Sequence, residues 1–430
     1  MREEHRPRGP RRARRERVLP FARHGRLKRS SPFGTLARLV AVIVAVVLVS
    51  TGSVAGIAVW DLSSSVKPGV QLTHLNGKPE TAPQIAAISG GVNMLLVGTD
   101  TRTDQGGQYD TAQELAGSSG EGNNDVTILI HIAQNHQSAT VVSYPRDMMV
   151  PIPGCPDPSG GSYSAMSDQM LNSSLSYGGL DCPVLTIEQL TGLTIPYAAE
   201  ISFDGVVAMS NAVGGVSVCV ASPINDPYSG LVLSAGEHVL EGTQALEFLR
   251  TRHGIADGSD LGRISSQQVF LASLVRKIQS GGVLKNPLEL YTLAKAAVSN
   301  MQLSSSLGNA STLVQIALAL KDIPSSNIVF LQYPTITDPT NDNRVIPDPS
   351  AGPILNSALV NDQPVELTGQ TGRGAQLATP APSATPSPTS TATPAPSAPA
   401  AIPGAIQLPS SVTGQTAAEQ TCSKGNADDG

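Results

Sequence analysis

Apolar positions divide this chain before any other feature does. Leu39 to Trp60 carries no charged residue and is rich in Val, Ala, Ile and Leu. At 1.5 Å rise per residue its 22 positions make a helix roughly 33 Å long, enough to cross a ~30 Å hydrocarbon core. From Asp61 to about Ser89 the chain is polar and broken by prolines, which reads as a stem. Short apolar runs then alternate with segments of helical spacing. Val92–Val97, Val126–Ile132, Thr140–Ser143, Val216–Val220 and Ile328–Tyr333 predict strands. Val184–Leu190, Phe203–Val213, Gly242–Leu249, Leu261–Ile278, Pro287–Val298 and Leu307–Leu320 predict helices. The alternation predicts an α/β class, a central mixed sheet covered by helices on both faces, preceded by one transmembrane helix. Towards the C-terminus, above all from Pro380, the chain is dominated by Pro, Ser, Thr and Ala, which cannot bury a core and predict a disordered tail. The expected organisation is a basic tail (1–38), a membrane span (39–60), a stem (61–89), one folded domain (90–345) and a disordered tail (346–430).

Charge gives the span a direction. Residues 1–38 hold thirteen Lys/Arg against three acids, which leaves fifteen basic and thirty-one acidic residues for the remainder. A basic block ahead of an apolar helix places the N-terminus in the cytoplasm and everything after Asp61 outside, and Trp60 ends the span where an interfacial aromatic is favoured. A cleaved signal peptide is the competing reading, with Ser53-Val54-Ala55 near a cut, but its basic leader is usually far shorter. A basic block also suits nucleic acid, which would make the chain a membrane-bound regulator; beside a membrane span a cytoplasmic flank is the simpler account. The four cysteines, at 155, 182, 219 and 422, form no C-x-x-C pair, so neither a zinc ribbon nor a thioredoxin-like motif is supported. In an oxidising compartment one disulfide is expected, most simply Cys155–Cys182 in their Pro/Gly-rich connections, with the pairings among 155, 182 and 219 left open. Cys219, inside the apolar run Val216–Val220, reads as a buried thiol. Six Phe, eight Tyr and one Trp make the core aliphatic and argue against a carbohydrate-binding module built on stacked aromatics.

The candidate chemistry gathers at strand ends and on one helix. Asp100 and Arg102 follow the first strand, Asp125 opens the second, and Arg146 and Asp147 close the third. In open α/β sheets ligands collect beyond the carboxyl ends of strands. Arg250 and Arg252 are two apart, so an extended backbone aims both to one side. Arg263 and Gln267 share a helix face at i, i+4, and Asp260 is placed to cap that helix and hold a guanidinium. The segment Leu261–Ile278 contains no Glu and, as its only Lys, Lys277, unlike a surface ion-pair helix. Guanidinium groups converging with an amide suit phosphate, whose oxygens accept paired hydrogen bonds from the planar fork. Asp100 and Asp125 are then candidates for Mg²⁺, which takes one or two carboxylates together with phosphate oxygens and water. His253, beside Arg252, is a candidate proton shuttle. The absence of Walker A, H-E-x-x-H and G-x-S-x-G sequences removes the P-loop, zincin and α/β-hydrolase readings.

These segments, read together, carry a resemblance. Val92–Arg102, Val142–Asp147, Leu171–Gly179, Phe203-Asp-Gly, Gly214-Gly-Val216, Leu240–Gly254 and Asp260–Gln268 resemble, in order, successive motifs of the LytR-CpsA-Psr family, of an actinobacterial type. The resemblance implies a membrane-anchored phosphotransferase that moves a glycopolymer from a polyprenyl-pyrophosphate carrier onto peptidoglycan with Mg²⁺ assistance. It implies Asp125, Arg146 and Arg263 as catalytic residues and Asp100 and Asp125 as metal ligands. Arg102, Arg146, Arg250, Arg252, Asp260, Arg263 and Gln267 would bind substrate. The polyprenyl chain would lie in an apolar pocket between sheet and helices, although positions such as Val206 and Met209 read as ordinary core unless a cavity is shown. The implied partners are the lipid-linked glycan, the peptidoglycan acceptor and the membrane, with no nucleic acid. Asn123, Met170 and Ser266 depart from the family pattern, which has cations there. A non-catalytic scaffold that holds polyprenyl phosphate is the alternative those departures favour.

Overall fold

The computed structural model describes residues 32–65, 67–75, 91–102, 122–280, 286–308, 310–378 and 402–426. Most of the basic block, residues 103–121, the second half of the expected stem and the Pro-rich stretch 379–401 lie outside the described residues. In chain order the elements used below are α1 (Pro32–Ser64), β1 (Val92–Thr99), β2 (Asn124–Ile132), β3 (Ala139–Tyr144), α2 (Asp181–Thr191) and β4 (Tyr197–Ile201). They continue with α3 (Phe203–Ala212), β5 (Val216–Ser222), β6 (Gly236–Leu240), α4 (Gly242–Arg250), α5 (Asp260–Gln279), α6 (Pro287–Asn300) and β7 (Met301–Leu303). The last are α7 (Ala310–Asp322), β8 (Ile328–Gln332), α8 (Gly352–Val360), β9 (Ala375–Leu377), β10 (Gly414–Thr416) and β11 (Thr421–Lys424). Helix α1 is long and apolar enough to cross a membrane over Pro32–Leu62.

Seven strands form the main sheet in the order β7-β4-β1-β2-β3-β8-β10. The sheet is mixed: β1–β4 and β3–β8 are parallel and the other neighbours antiparallel. Alternate residues of β1 enter different cores. Leu95 and Val97 pack with Val142 against α2 and α8, while Met94 and Leu96 pack with Ile128 on the side of α5, α6 and α7. Burial on both faces is why these strands read as continuous apolar runs rather than alternating ones. The expected α-β-α arrangement is therefore present. A second sheet, β6-β5-β11-β9, packs against α4 and α5 through Phe248, Val269 and Phe270.

Two expected boundaries are corrected. The segment 61–75 is not a free stem: Leu72 is buried in the main core, the Thr73 hydroxyl donates to Asp181, and His74 Nδ1 lies 2.6 Å from Glu188 Oε1. Nor is 346–430 a disordered tail throughout, because Leu355 and Leu359 of α8, together with Leu408 and Val412, are buried in the same core. Strand β10 extends the main sheet beside β8, and β11 inserts between β5 and β9. Average composition hid a few well-spaced apolar anchors flanking the Pro-rich stretch. The pairing of β11 also corrects Cys219. The register sets Cys422 beside it, and the two form a disulfide, alongside the expected Cys155–Cys182.

Candidate functional site

A cavity of about 480 Å³ opens between the main sheet and helices α3, α4, α5 and α6. Its walls are mostly aliphatic. Leu96 and Ile128 contribute from the sheet, Val206 and Met209 from α3, and Leu271 and Leu274 from α5. Val206 and Met209 thus face open space rather than filling a core, which decides between the two readings of that stripe. The sequence-separated arginines Arg146, Arg250, Arg252 and Arg263 also line the cavity, with Asp125, Asp226 and Gln267, and both Arg146 and Arg263 contact Asp125.

Each of these groups is held by a neighbour. Arg146 Nη1 donates to Asp125 Oδ1 at 2.9 Å, and its backbone N–H donates to Asp260 Oδ2 at 3.1 Å. Burial alone would lower the Arg146 guanidinium, but the charges of Asp125, Asp260 and Asp147 outweigh it and raise its pKa above the ordinary value. Arg263, only 5 % exposed, donates through Nη2 to the Asp125 carbonyl at 2.6 Å and lies 2.6 Å from Asp260 Oδ1. Helix α5 makes that geometry possible. Its N-cap is Ser259, whose hydroxyl accepts from the Gly262 N–H, so the expected capping by Asp260 is corrected. Freed from capping, Asp260 in the first turn reaches Arg263 at i+3 and the backbone of Arg146. The Nε atoms of Arg146, Arg252 and Arg263 are buried without a hydrogen-bond partner within the protein. Buried polar groups are nearly always paired, so three unpaired guanidinium N–H groups around one cavity mark a place for an anion.

The remaining expected residues take different positions. Arg250 lies over the Phe203 ring, 4.3 Å from its centroid, and ends α4 instead of standing in an extended segment. Gln267 lines the cavity, and its amide donates to the Leu249 carbonyl at 2.8 Å, which fixes the end of α4. Asp100 and Arg102 are not among the residues lining the cavity. Asp100 follows the end of β1, where Thr99 pairs with Asn124 at the start of β2, and its carboxylate accepts the Asn123 N–H at 2.6 Å. Gly122 permits this approach. Its φ is +74°, and a Cβ there would lie 2.9 Å from Asp100 Oδ1. Among the described residues no group of three or more His, Cys, Asp or Glu could enclose a metal. Asp100 and Asp125 are the carboxylates that would hold Mg²⁺, with its other ligands drawn from phosphate and water. None of Asn123, Met170 and Ser266 lines the cavity. Ser266 instead lies 2.6 Å, hydroxyl to hydroxyl, from Ser423 of β11.

Sequence reasoning missed two features. Asp226, 1 % exposed, accepts the Thr251 hydroxyl at 2.6 Å and the N–H groups of Arg252 and His253 at 2.9 and 3.0 Å. Burial opposes its ionisation, but the bonds from the Thr251 hydroxyl and from the N–H groups of Arg252, Gly254 and Tyr228 prevail and hold its pKa at about 2. Asp226 is therefore an ionised anchor for the arginine loop, and the turn chemistry of Asp226-Pro-Tyr-Ser-Gly230 was its visible signal. The second feature is the C-terminal clamp. Ala256 donates to the Lys424 carbonyl, Asn426 to that of Gly254, and a Cβ at Gly372 would stand 1.9 Å from Ser265 Oγ. The segment joining Arg252 to Asp260 is thus covered by residues beyond 370, and Cys422 was the cysteine that pointed there.

Comparison with known proteins accords with this geometry. The cell wall biosynthesis protein LcpA of Corynebacterium glutamicum is 32% identical over 280 residues, 60% of this chain and 52% of that protein. This chain thus spans about half the length of that relative. A Bacillus subtilis protein named polyisoprenyl-teichoic acid–peptidoglycan teichoic acid transferase TagT is 26% identical over 318 residues, 72% of this chain and 90% of its own. The solved LytR-Csp2A-Psr enzyme from Actinomyces oris shares the fold, with a TM-score of 0.50 at 22% identity over 68% of this chain and 96% of that one. The LytR_cpsA_psr family profile matches residues 64–351, the span that carries the cavity and its arginines. The chain belongs to the LytR-CpsA-Psr family.

Proposed function

We propose that this protein is a membrane-anchored transferase that moves a glycopolymer, with its phosphate, from a polyprenyl-pyrophosphate carrier onto peptidoglycan. The observation that carries the reading is one cavity lined by both charged and apolar groups. Four arginines and the carboxylates of Asp125 and Asp226 share its lining with a larger apolar wall, which suits a ligand with an anionic head and a long apolar tail. The names of the relatives, cell wall biosynthesis protein and teichoic acid transferase, support the same substrate class. With α1 in the membrane and the basic block on the cytoplasmic side, the domain faces outward, where peptidoglycan lies.

Arg146, Arg252 and Arg263 bind the pyrophosphate through their unpaired N–H groups, in a site whose charges are already fixed. An acceptor hydroxyl attacks the phosphorus next to the sugar, and polyprenyl phosphate departs as the leaving group. Arg146 and Arg263 stabilise the charge that builds on the phosphoryl and leaving oxygens. Asp125, pinned between these two arginines, takes the acceptor's proton. Mg²⁺, when held by Asp100 and Asp125, would add positive charge on the phosphoryl oxygens. Ser266, one of the departures from the family pattern, pairs its hydroxyl with that of Ser423 of β11 and does not line the cavity. The test uses full-length protein in detergent with a polyprenyl-pyrophosphate-linked glycan and a soluble peptidoglycan acceptor. Transfer that depends on Arg146 and Arg263 is the expected result; unchanged turnover in Arg146→Ala and Arg263→Ala rejects the site.

A further inference from the structure

Tyr228 has no part in the chemistry above, yet it lines the mouth of the cavity with its side chain in solvent, 79 % exposed. In a chain so poor in aromatics an exposed ring at a site entrance calls for a reason. Its ring centroid lies 4.4 Å from that of His253, at an interplanar angle of 40°. His253 Nε2 in turn is 3.2 Å from Arg252 Nη2. Both rings hang from the same carboxylate: Asp226 Oδ1 accepts the Tyr228 N–H at 3.0 Å, and Oδ2 accepts those of Arg252 and His253. The turn that carries Tyr228 is therefore fixed to the loop that carries Arg252.

We infer that Tyr228, backed by His253, is a platform for a pyranose ring next to the anion site. This inference rests on the transferase reading and adds a sugar subsite to it. The C–H face of a pyranose is weakly electropositive and apolar, and it packs on the electron-rich face of an aromatic ring. A sugar joined to a phosphate held by Arg252 reaches no further than the neighbouring side chains, and Tyr228 with His253 is the aromatic pair there. Two sugars meet that description, the first sugar of the donor and the acceptor sugar whose hydroxyl attacks.

The test uses full-length protein in detergent and the variants Tyr228→Ala, Tyr228→Phe and Tyr228→Trp. The probes are a polyprenyl pyrophosphate bearing one N-acetylhexosamine, the same lipid without sugar, and a soluble peptidoglycan fragment. In Tyr228→Ala the KM for one sugar-bearing substrate rises about tenfold. Phenylalanine and tryptophan, which keep a ring, stay within about twofold of the parent. A rise confined to the lipid donor assigns the donor sugar, and a rise confined to the fragment assigns the acceptor; either supports the platform. Binding of the sugar-free lipid is unchanged in all three. The inference is overturned if Tyr228→Ala leaves both KM values unchanged while Arg263→Ala abolishes transfer, a result that spares the transferase reading. It is also overturned if binding of the sugar-free lipid weakens as much as that of the sugar-bearing one. If Arg263→Ala leaves transfer intact, the transferase reading falls and the platform with it.

Discussion

The charged and the apolar linings of the cavity are built on opposite principles. Among the charged groups Arg146 is held by Asp125, Arg263 by Asp260 and the Asp125 carbonyl, Arg250 lies over Phe203, and the Arg252 backbone is held by Asp226. Among the apolar groups Val206, Met209, Leu271 and Leu274 line the space without directional partners. Electrostatic stabilisation depends on donors already in place when charge develops, so misorientation of the arginines is costly. Apolar burial is non-directional and scales with area, so the apolar lining tolerates imprecision. The difference predicts steep losses from small changes in the charged lining and shallow, chain-length-dependent losses in the apolar one.

The largest effect is expected from Arg263→Ala, which removes a phosphate donor and leaves Asp260 and Asp125 short of a buried counter-charge. Transfer should fall by at least about a hundredfold, and unfolding should become easier by about 3 kcal/mol or more. Denaturant titration beside a turnover assay separates the two losses, and intact turnover would erase the contrast between the linings.

Next in size is the loss of the Cys219–Cys422 disulfide, which ties β11 to β5 across 203 residues of sequence. Cys219→Ser with Cys422→Ser should cost about 2–4 kcal/mol. Cys155→Ser with Cys182→Ser, which opens a separation of 27, should cost less. Thermal unfolding of the two double variants ranks them. An equal or reversed order would show that β11 does not brace the arginine loop.

Asp226→Asn should lower transfer about tenfold by loosening the Arg252 and His253 backbone. Because the folded carboxyl titrates at about 2, below its ordinary 3.8, its stabilising contribution is complete above 3.8 and disappears as pH falls through 2. A pH titration of stability should therefore show an acid-side decline that is smaller in Asp226→Asn. Identical acid limbs in both proteins would remove the anchor.

The smallest effect is expected in the apolar lining. Val206→Phe narrows the cavity and should raise KM a few-fold for a long polyprenyl donor while sparing a short-chain analogue. Equal effects on both lengths would mean that the tail does not lie there.

Much of the frame was legible in the chain because local periodicity encodes it. The strand β1 and the shared face of Arg263 and Gln267 follow from spacings of two and four residues. What spacing does not encode is convergence. Arg146 reaches Asp125 and Asp260 only because β2, β3 and α5 come together; their places at strand ends and a helix start marked them as candidates, but not as neighbours. The C-terminal clamp was misread because Pro, Ser and Thr outnumber the few side chains that matter, Leu355, Leu359, Leu408 and Val412, which are buried in the main core. Cys219 looked like a buried thiol for the same reason, since its partner lay in a stretch read as disordered. Asp226 belonged to no repeating pattern, and its role appears only once Thr251, Arg252 and His253 are seen to donate to it.

The central claim is that a single cavity takes both head and tail of a lipid-linked pyrophosphate. A crystal structure of the protein with polyprenyl pyrophosphate bound tests it most directly. The account predicts phosphate oxygens within hydrogen-bonding distance of Arg146, Arg252 and Arg263, and the isoprenoid chain running past Val206 and Met209. A lipid seated elsewhere, with those guanidinium groups untouched, would contradict it.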